Sequence, residues 1–111
     1  MQREVGKYLF DIRESIASIE QFLGKKRDFD DYQANKLVRR AVERELGIIG
    51  EAINKYCQEG NPELSKSRQI VNFRNRLIHA YDSVDDSVVW AIMKNHLPLL
   101  KAEVEELIKQ S

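Results

Sequence analysis

The chain has 111 residues, 42% of them apolar, enough to fill one modest hydrophobic core but hardly two. Eighteen basic and eighteen acidic side chains cancel, which excludes whole-molecule attraction to nucleic acid or to an anionic membrane and leaves anion binding to a local patch. The lone Cys57 excludes an internal disulfide, no Cys/His cluster has zinc-ligand spacing, and no run approaches the roughly 18 apolar residues of a membrane span. The expectation is a soluble single domain over residues 1–111 in a reducing cytoplasm, outside any membrane and with neither metal nor cofactor.

In chain order, apolar residues at Val5, Tyr8, Leu9, Ile12, Ile16, Ile19 and Leu23 have the spacing of an amphipathic helix, and Gly24 is its natural stop. A charged stretch, Lys25 to Asp30, leads to a second helix capped by Asp30 or Asp31 and running to about Tyr56. On a helical wheel Ala34, Leu37, Val38, Ala41, Val42, Leu46, Ile48, Ile49, Ala52, Ile53 and Tyr56 fill about half the circle, as suits a central helix with several neighbours. Gly47 and Gly50 each cost about 1 kcal/mol of helix propensity, which close approach of another backbone would explain. Gln58 to Pro62 forms a turn, and a third helix covers about Ser67 to Ala80 with Ile70, Phe73, Leu77 and Ile78 turned inward. After a connection over Tyr81 to Asp85, Ser83 or Asp85 caps a last helix with inward Val88, Val89, Ile92, Leu97, Leu100, Val104 and Leu107, kinked at Pro98. No alternating stretch reads as a strand. The fold class is all-α, an up-and-down four-helix bundle with a kinked last helix.

Between Leu64 and Tyr81 there are four cations, Lys66, Arg68, Arg74 and Arg76, and no acid, so a neutral chain carries a basic patch on its third helix. Asn72, Asn75, Arg76 and His79 share one polar face of that helix, with Arg74 on its flank. Arg74 and His79 are about 140° and 7.5 Å apart along the helix, so their heads converge only if the arginine folds back or a second copy of the helix contributes. Cation, imidazole and amide together suit cleavage of RNA: His79 titrates near neutrality and serves as base or acid, while Arg74 stabilises the developing phosphorane oxygens. The same residues also fit a plain reading, a histidine on the last helical carbonyls beside solvated polar groups.

Arg74-Asn75-x-x-x-His79-x-Tyr81 resembles the Arg-x4-His-x-Tyr signature of the HepT-like toxins, a branch of the HEPN superfamily of helical ribonucleases. Ile48-Ile49-Gly50-Glu51-Ala52, Pro62-Glu63, Trp90 and Leu97-Pro98-Leu99 are similar to further family segments in the same order, so the resemblance covers nearly the whole chain. It implies a HEPN-type bundle and a homodimer, alone or in a larger complex, in which two facing motifs form a metal-independent endoribonuclease site. Arg74 and His79 are then the catalytic pair, with Asn75 supporting. It also implies a type VII toxin–antitoxin pairing with a minimal nucleotidyltransferase, which silences the toxin by transferring AMP to Tyr81. An anionic adenylate two residues from His79 would block the cleft and repel RNA phosphate. A second reading is a non-catalytic helical binding subunit of a nucleotidyltransferase complex, and a third is a structural dimerisation module.

Glu45 falls near the middle of the apolar arc, where an unpaired carboxylate is costly, and is expected to pair with an arginine or lie at a dimer seam. Glu51, at the edge of the arc and one heptad from Arg44, is either a structural ion pair or a supporting group of the active site. His96 lacks a second metal ligand, Trp90 reads as core, Cys57 has no base nearby in sequence, and Lys25-Lys26-Arg27 reads as a solvated loop.

Overall fold

The computed structural model describes residues 3–25, 27–61, 64, 67–79 and 84–110, and only the backbone of 3–5, 67 and 77–79. Helix α1 spans Arg3–Leu23 and buries Leu9, Ile12, Ile16 and Ile19, the stripe its spacing predicts. It stops at Gly24, whose φ of 68° is a left-handed conformation that side chains with a Cβ rarely adopt.

The long second helix expected from the sequence is two helices, α2 over Phe29–Ala34 and α3 over Lys36–Gln58. Asn35 divides them. Its backbone is extended (φ −106°, ψ 94°), its N–H closes α2 on the Tyr32 carbonyl, and its side-chain oxygen accepts from the Val38 N–H to start α3. The cap of α2 is Asp28, which accepts from the N–H groups of Asp30 and Asp31, rather than either of those residues. Helix α3 packs against α1, α2 and the helix α4 over Ser67–His79, the central position that its wide apolar arc predicts. The arc is narrower than expected, since Leu37 is 80% exposed and Ile48 37% exposed.

Helix α4 spans Ser67–His79 and buries Ile70 and Phe73; the side chains of Leu77 and Ile78 lie outside the described residues. Asp85, whose carboxylate accepts from the Ser87 N–H at 2.8 Å, caps α5 over Asp86–Ala91, while Ser83 lies outside the described residues. The chain continues through a π-helical turn, Ile92–His96, into α6 over Leu97–Lys109. The expected kink at Pro98 takes this form for a steric reason. Pro98 has no N–H and its ring collides with the carbonyl four residues back, whereas widening the preceding turn lets the Leu97 N–H donate to Ile92, five residues back. Val88 is exposed, contrary to expectation, and Leu107 is half-buried. Trp90 is half-buried, packing against Phe29 at 5.8 Å and Tyr32 at 5.4 Å between ring centroids. Among the described residues all regular structure is helical, and no helix is long and apolar enough to cross a membrane.

The buried acid of α3 is Glu43, not Glu45, which is half-exposed. Glu43 lies near Arg40, Asp86 and Arg39, and Arg39 approaches Asp86 at 3.7 Å. Burial pushes the Glu43 carboxyl above its ordinary value, Asp86 adds to the rise, and the two arginines only partly offset it. The folded chain therefore holds this proton more tightly than the unfolded chain. The stability it contributes is full below the unfolded carboxyl's value and is lost as pH rises through the folded one. Glu43→Gln, which removes the charge at constant size, is accordingly expected to gain stability relative to the parent as pH rises from 4 to 7.5. Urea unfolding of both proteins at the two pH values measures this.

Candidate functional site

Of the polar face expected on α4, Asn72, Asn75 and Arg76 are exposed on the side away from Ile70 and Phe73, and Arg68 is exposed as well. Arg74 stands on its flank, three-quarters buried, with 26% of its side chain exposed. His79 closes the helix, five residues beyond Arg74, and its side chain lies outside the described residues, as does all of Tyr81.

Gly50 decides where Arg74 goes. A Cβ at position 50 would lie 2.7 Å from the Arg74 Cβ and 3.3 Å from the Ile70 carbonyl, so only glycine lets α4 approach α3 this closely. The close backbone approach expected from the sequence is thus found at Gly50. With the helices in contact, the Arg74 guanidinium reaches the next residue along α3: its Nη2 pairs with the Glu51 carboxylate, and its Nη1 donates to the Asn75 side-chain oxygen at 3.2 Å. Three of the four residues assigned to the active site, Arg74, Asn75 and Glu51, therefore form one hydrogen-bonded group. Glu51 also lies 3.8 Å from Lys55, and its ion pairs are with Arg74 and Lys55 rather than with Arg44.

A planar guanidinium held from two sides keeps a fixed orientation, and its remaining N–H groups are left to donate to a phosphate. Arg74 also forms part of the wall of an open groove of about 490 Å³ between α1 and α3, lined in addition by Lys7, Tyr8, Arg44, Ile48 and Lys55. Sequence reasoning passed over Lys7, Tyr8 and Lys55. The available signal was a line on α3, because Leu37, Arg44, Ile48, Glu51 and Lys55 fall within about 60° of one another on a helical wheel.

The other candidates lie elsewhere. His96 is half-buried at the end of the π turn, Cys57 is a half-buried free thiol on α3, and Arg27 is exposed and donates to the Gly24 carbonyl at 3.0 Å. Among the described residues, no group of three or more His, Cys, Asp or Glu side chains is placed to hold a metal ion.

A family model described as Ribonuclease HepT-like matches residues 12–107. The chain is 39% identical over 107 residues to a Methanocaldococcus jannaschii protein named "Putative RNase MJ1380", covering 94% of this chain and 96% of that one. It is likewise 39% identical over 112 residues to "Probable ribonuclease HepT" of Thermococcus cleftensis, covering 98% and 100%. No solved structure gives a significant match.

The contact at Gly50 predicts the effect of filling it. Alanine improves helix propensity by about 1 kcal/mol, but its methyl group overlaps the root of the Arg74 side chain, and overpacking of this kind costs about 1–3 kcal/mol. Gly50→Ala is expected to lower stability on balance, by about 1 kcal/mol, where the same substitution at an open helical position would raise it. Urea unfolding measures the sign directly.

Proposed function

The chain belongs to the HepT-like ribonuclease family, and from that premise we propose that it is a metal-independent endoribonuclease whose catalytic pair is Arg74 and His79. The observation that carries the reading is the placement of Arg74, whose guanidinium is pinned by Glu51 from α3 and by Asn75 beside it, on the helix that His79 ends. In the proposed reaction the ribose 2′-oxygen attacks the adjacent phosphorus and the 5′-oxygen leaves. His79 takes the proton from the attacking hydroxyl or returns one to the leaving oxygen. Arg74 donates to the non-bridging oxygens as their charge grows. Neither step calls for a metal ion. Glu51 and Asn75 act as positioning groups, through Arg74.

The working unit in this reading is a homodimer. The distance along α4 between Arg74 and His79 favours a site completed across a two-fold axis, and the 80% exposure of Leu37 leaves apolar surface on α3 for a second copy to cover. We further propose that the chain is the toxin of a type VII toxin–antitoxin pair. A minimal nucleotidyltransferase antitoxin would silence it by directing the Tyr81 oxygen onto the α-phosphate of ATP, with pyrophosphate leaving and an adenylate remaining on the tyrosine. That anion, two residues from His79, would repel an incoming RNA phosphate.

The test is cleavage of total cellular RNA in chelator by protein whose intact mass shows no adenylate. The parent is expected to cut, His79→Ala to be inactive, and Arg74→Lys to lose roughly 100- to 1,000-fold in rate, because an ammonium cannot hold two partners and a phosphate in one plane. If parent and variants are equally inert, the chain is instead a helical binding subunit of a nucleotidyltransferase complex.

A further inference from the structure

The groove beside Arg74 has a chemistry that cleavage alone does not call for. Its volume of about 490 Å³ falls within the roughly 300–1,000 Å³ of small-ligand sites. Four cations line it, Lys7, Arg44, Lys55 and Arg74, against two acids, Asp11 and Glu51, and both acids are occupied. Asp11 pairs with Lys7 at 2.7 Å, and Glu51 is shared between Arg74 and Lys55. The lining is therefore net positive by two in a chain whose overall charge is zero. The lining also includes the half-buried Tyr8, which packs against the core, and Ile48, an apolar side chain 37% exposed.

An aromatic ring and an aliphatic side chain bordered by cations match one nucleotide, with the base on the apolar surface and the phosphates on the cations. We propose that this groove is a nucleotide subsite that seats the residue of a single-stranded RNA next to the cleaved phosphate, its base against Tyr8 and Ile48 and its outer phosphate on Arg44. Arg74 lines the same groove as Arg44, so a strand lying in it reaches both. Because the base must leave its stack to reach Tyr8, the subsite selects unpaired RNA over duplex. This inference rests on the ribonuclease reading above.

The test measures binding separately from cleavage. A fluorescent single-stranded RNA carrying 2′-O-methyl groups throughout cannot be cut by 2′-oxygen attack, and its affinity is read by anisotropy across a salt series. Tyr8→Leu, which keeps apolar volume without a ring, is expected to bind about tenfold more weakly, and Tyr8→Phe like the parent. Arg44→Ala, at an exposed position, is expected to lower the magnitude of the logarithmic salt slope by about 0.7, the value for one phosphate contact on a single strand. The same sequence annealed into a duplex is expected to bind at least tenfold more weakly. Thermal unfolding confirms that each variant folds.

Parental affinity and salt slope in both Tyr8→Leu and Arg44→Ala would overturn the subsite, as would a parent that does not bind the RNA. So would losses that track a change in dimer mass by light scattering, since the groove would then be a contact between copies. A parent that binds through Tyr8 and Arg44 yet cuts no RNA removes the ribonuclease reading and overturns the placement beside a cleaved phosphate, leaving the groove as a single-strand RNA site. A parent that cuts RNA while the groove variants bind normally keeps the ribonuclease reading and overturns the subsite.

Discussion

The contact between α3 and α4 at Gly50 is the constraint on which the candidate site depends. An apolar interface between two helices ordinarily leaves their axes 8–10 Å apart, at a distance set by the side chains between them. Here the contact falls on a residue with no side chain, so the root of Arg74 rests on the backbone of α3. That approach does two things at once. It packs Ile70 and Phe73 into the core formed by α1 and α3, and it brings the Arg74 guanidinium to Glu51, the residue after the glycine. Stability and site geometry are thus coupled through one position, and a glycine that costs helix propensity is retained where its smallness is used.

Two interruptions shape the rest of the bundle. Asn35 turns the chain between α2 and α3, which lets α2 fold back with Phe29 and Tyr32 against Trp90. The π turn before Pro98 takes up the residue whose helical hydrogen bond the proline cannot make, so that α5 and α6 both bury their apolar sides, at Val89 and at Leu100 and Val104. Neither interruption touches the α3–α4 contact, and the site is built on the unbroken helices. Side chains on such helices hold their geometry better than side chains on loops.

The parts legible in the sequence were those where periodicity and burial agree. Helix α1 and the limits of α4 follow from spacing, and the cost of glycine in a central helix pointed to a close approach at Gly47 and Gly50 alike, which is found at Gly50. The division at Asn35 was hidden because asparagine is only mildly unfavourable inside a helix, and its capping role appears once its side chain is seen to accept from Val38. Leu37 and Ile48 were placed inward because a wheel treats every apolar residue as core, although apolar residues also supply much of a protein's surface. Glu43 was missed for the converse reason. Its burial comes from the side where Tyr32 and Asp86 lie, a direction that the pattern of α3 alone does not contain. At the site, the polar face of α4 and the family-like motifs put forward Arg74 and Asn75, and Glu51 as one of two readings, whereas their joining into one group needed the helices to be placed.

An acid beside the proposed catalytic cation raises the question of whether it disables the arginine it holds. Magnitudes argue that it does not. Glu51 and Arg74 are 41% and 26% exposed at their side chains, and ion pairs in contact with solvent contribute about 0–1 kcal/mol, a small quantity beside a charge-assisted hydrogen bond to a phosphate. A guanidinium has five N–H donors, and among the described residues its partners are the Glu51 and Asn75 side chains, one at each Nη. Lys55, on the far side of the carboxylate, draws part of its charge away from the arginine. The pair therefore fixes the direction of the guanidinium without neutralising it towards an anion arriving from the groove. A chain with zero net charge can handle a polyanion in this way, by orienting a few cations at one place rather than by accumulating many over its surface.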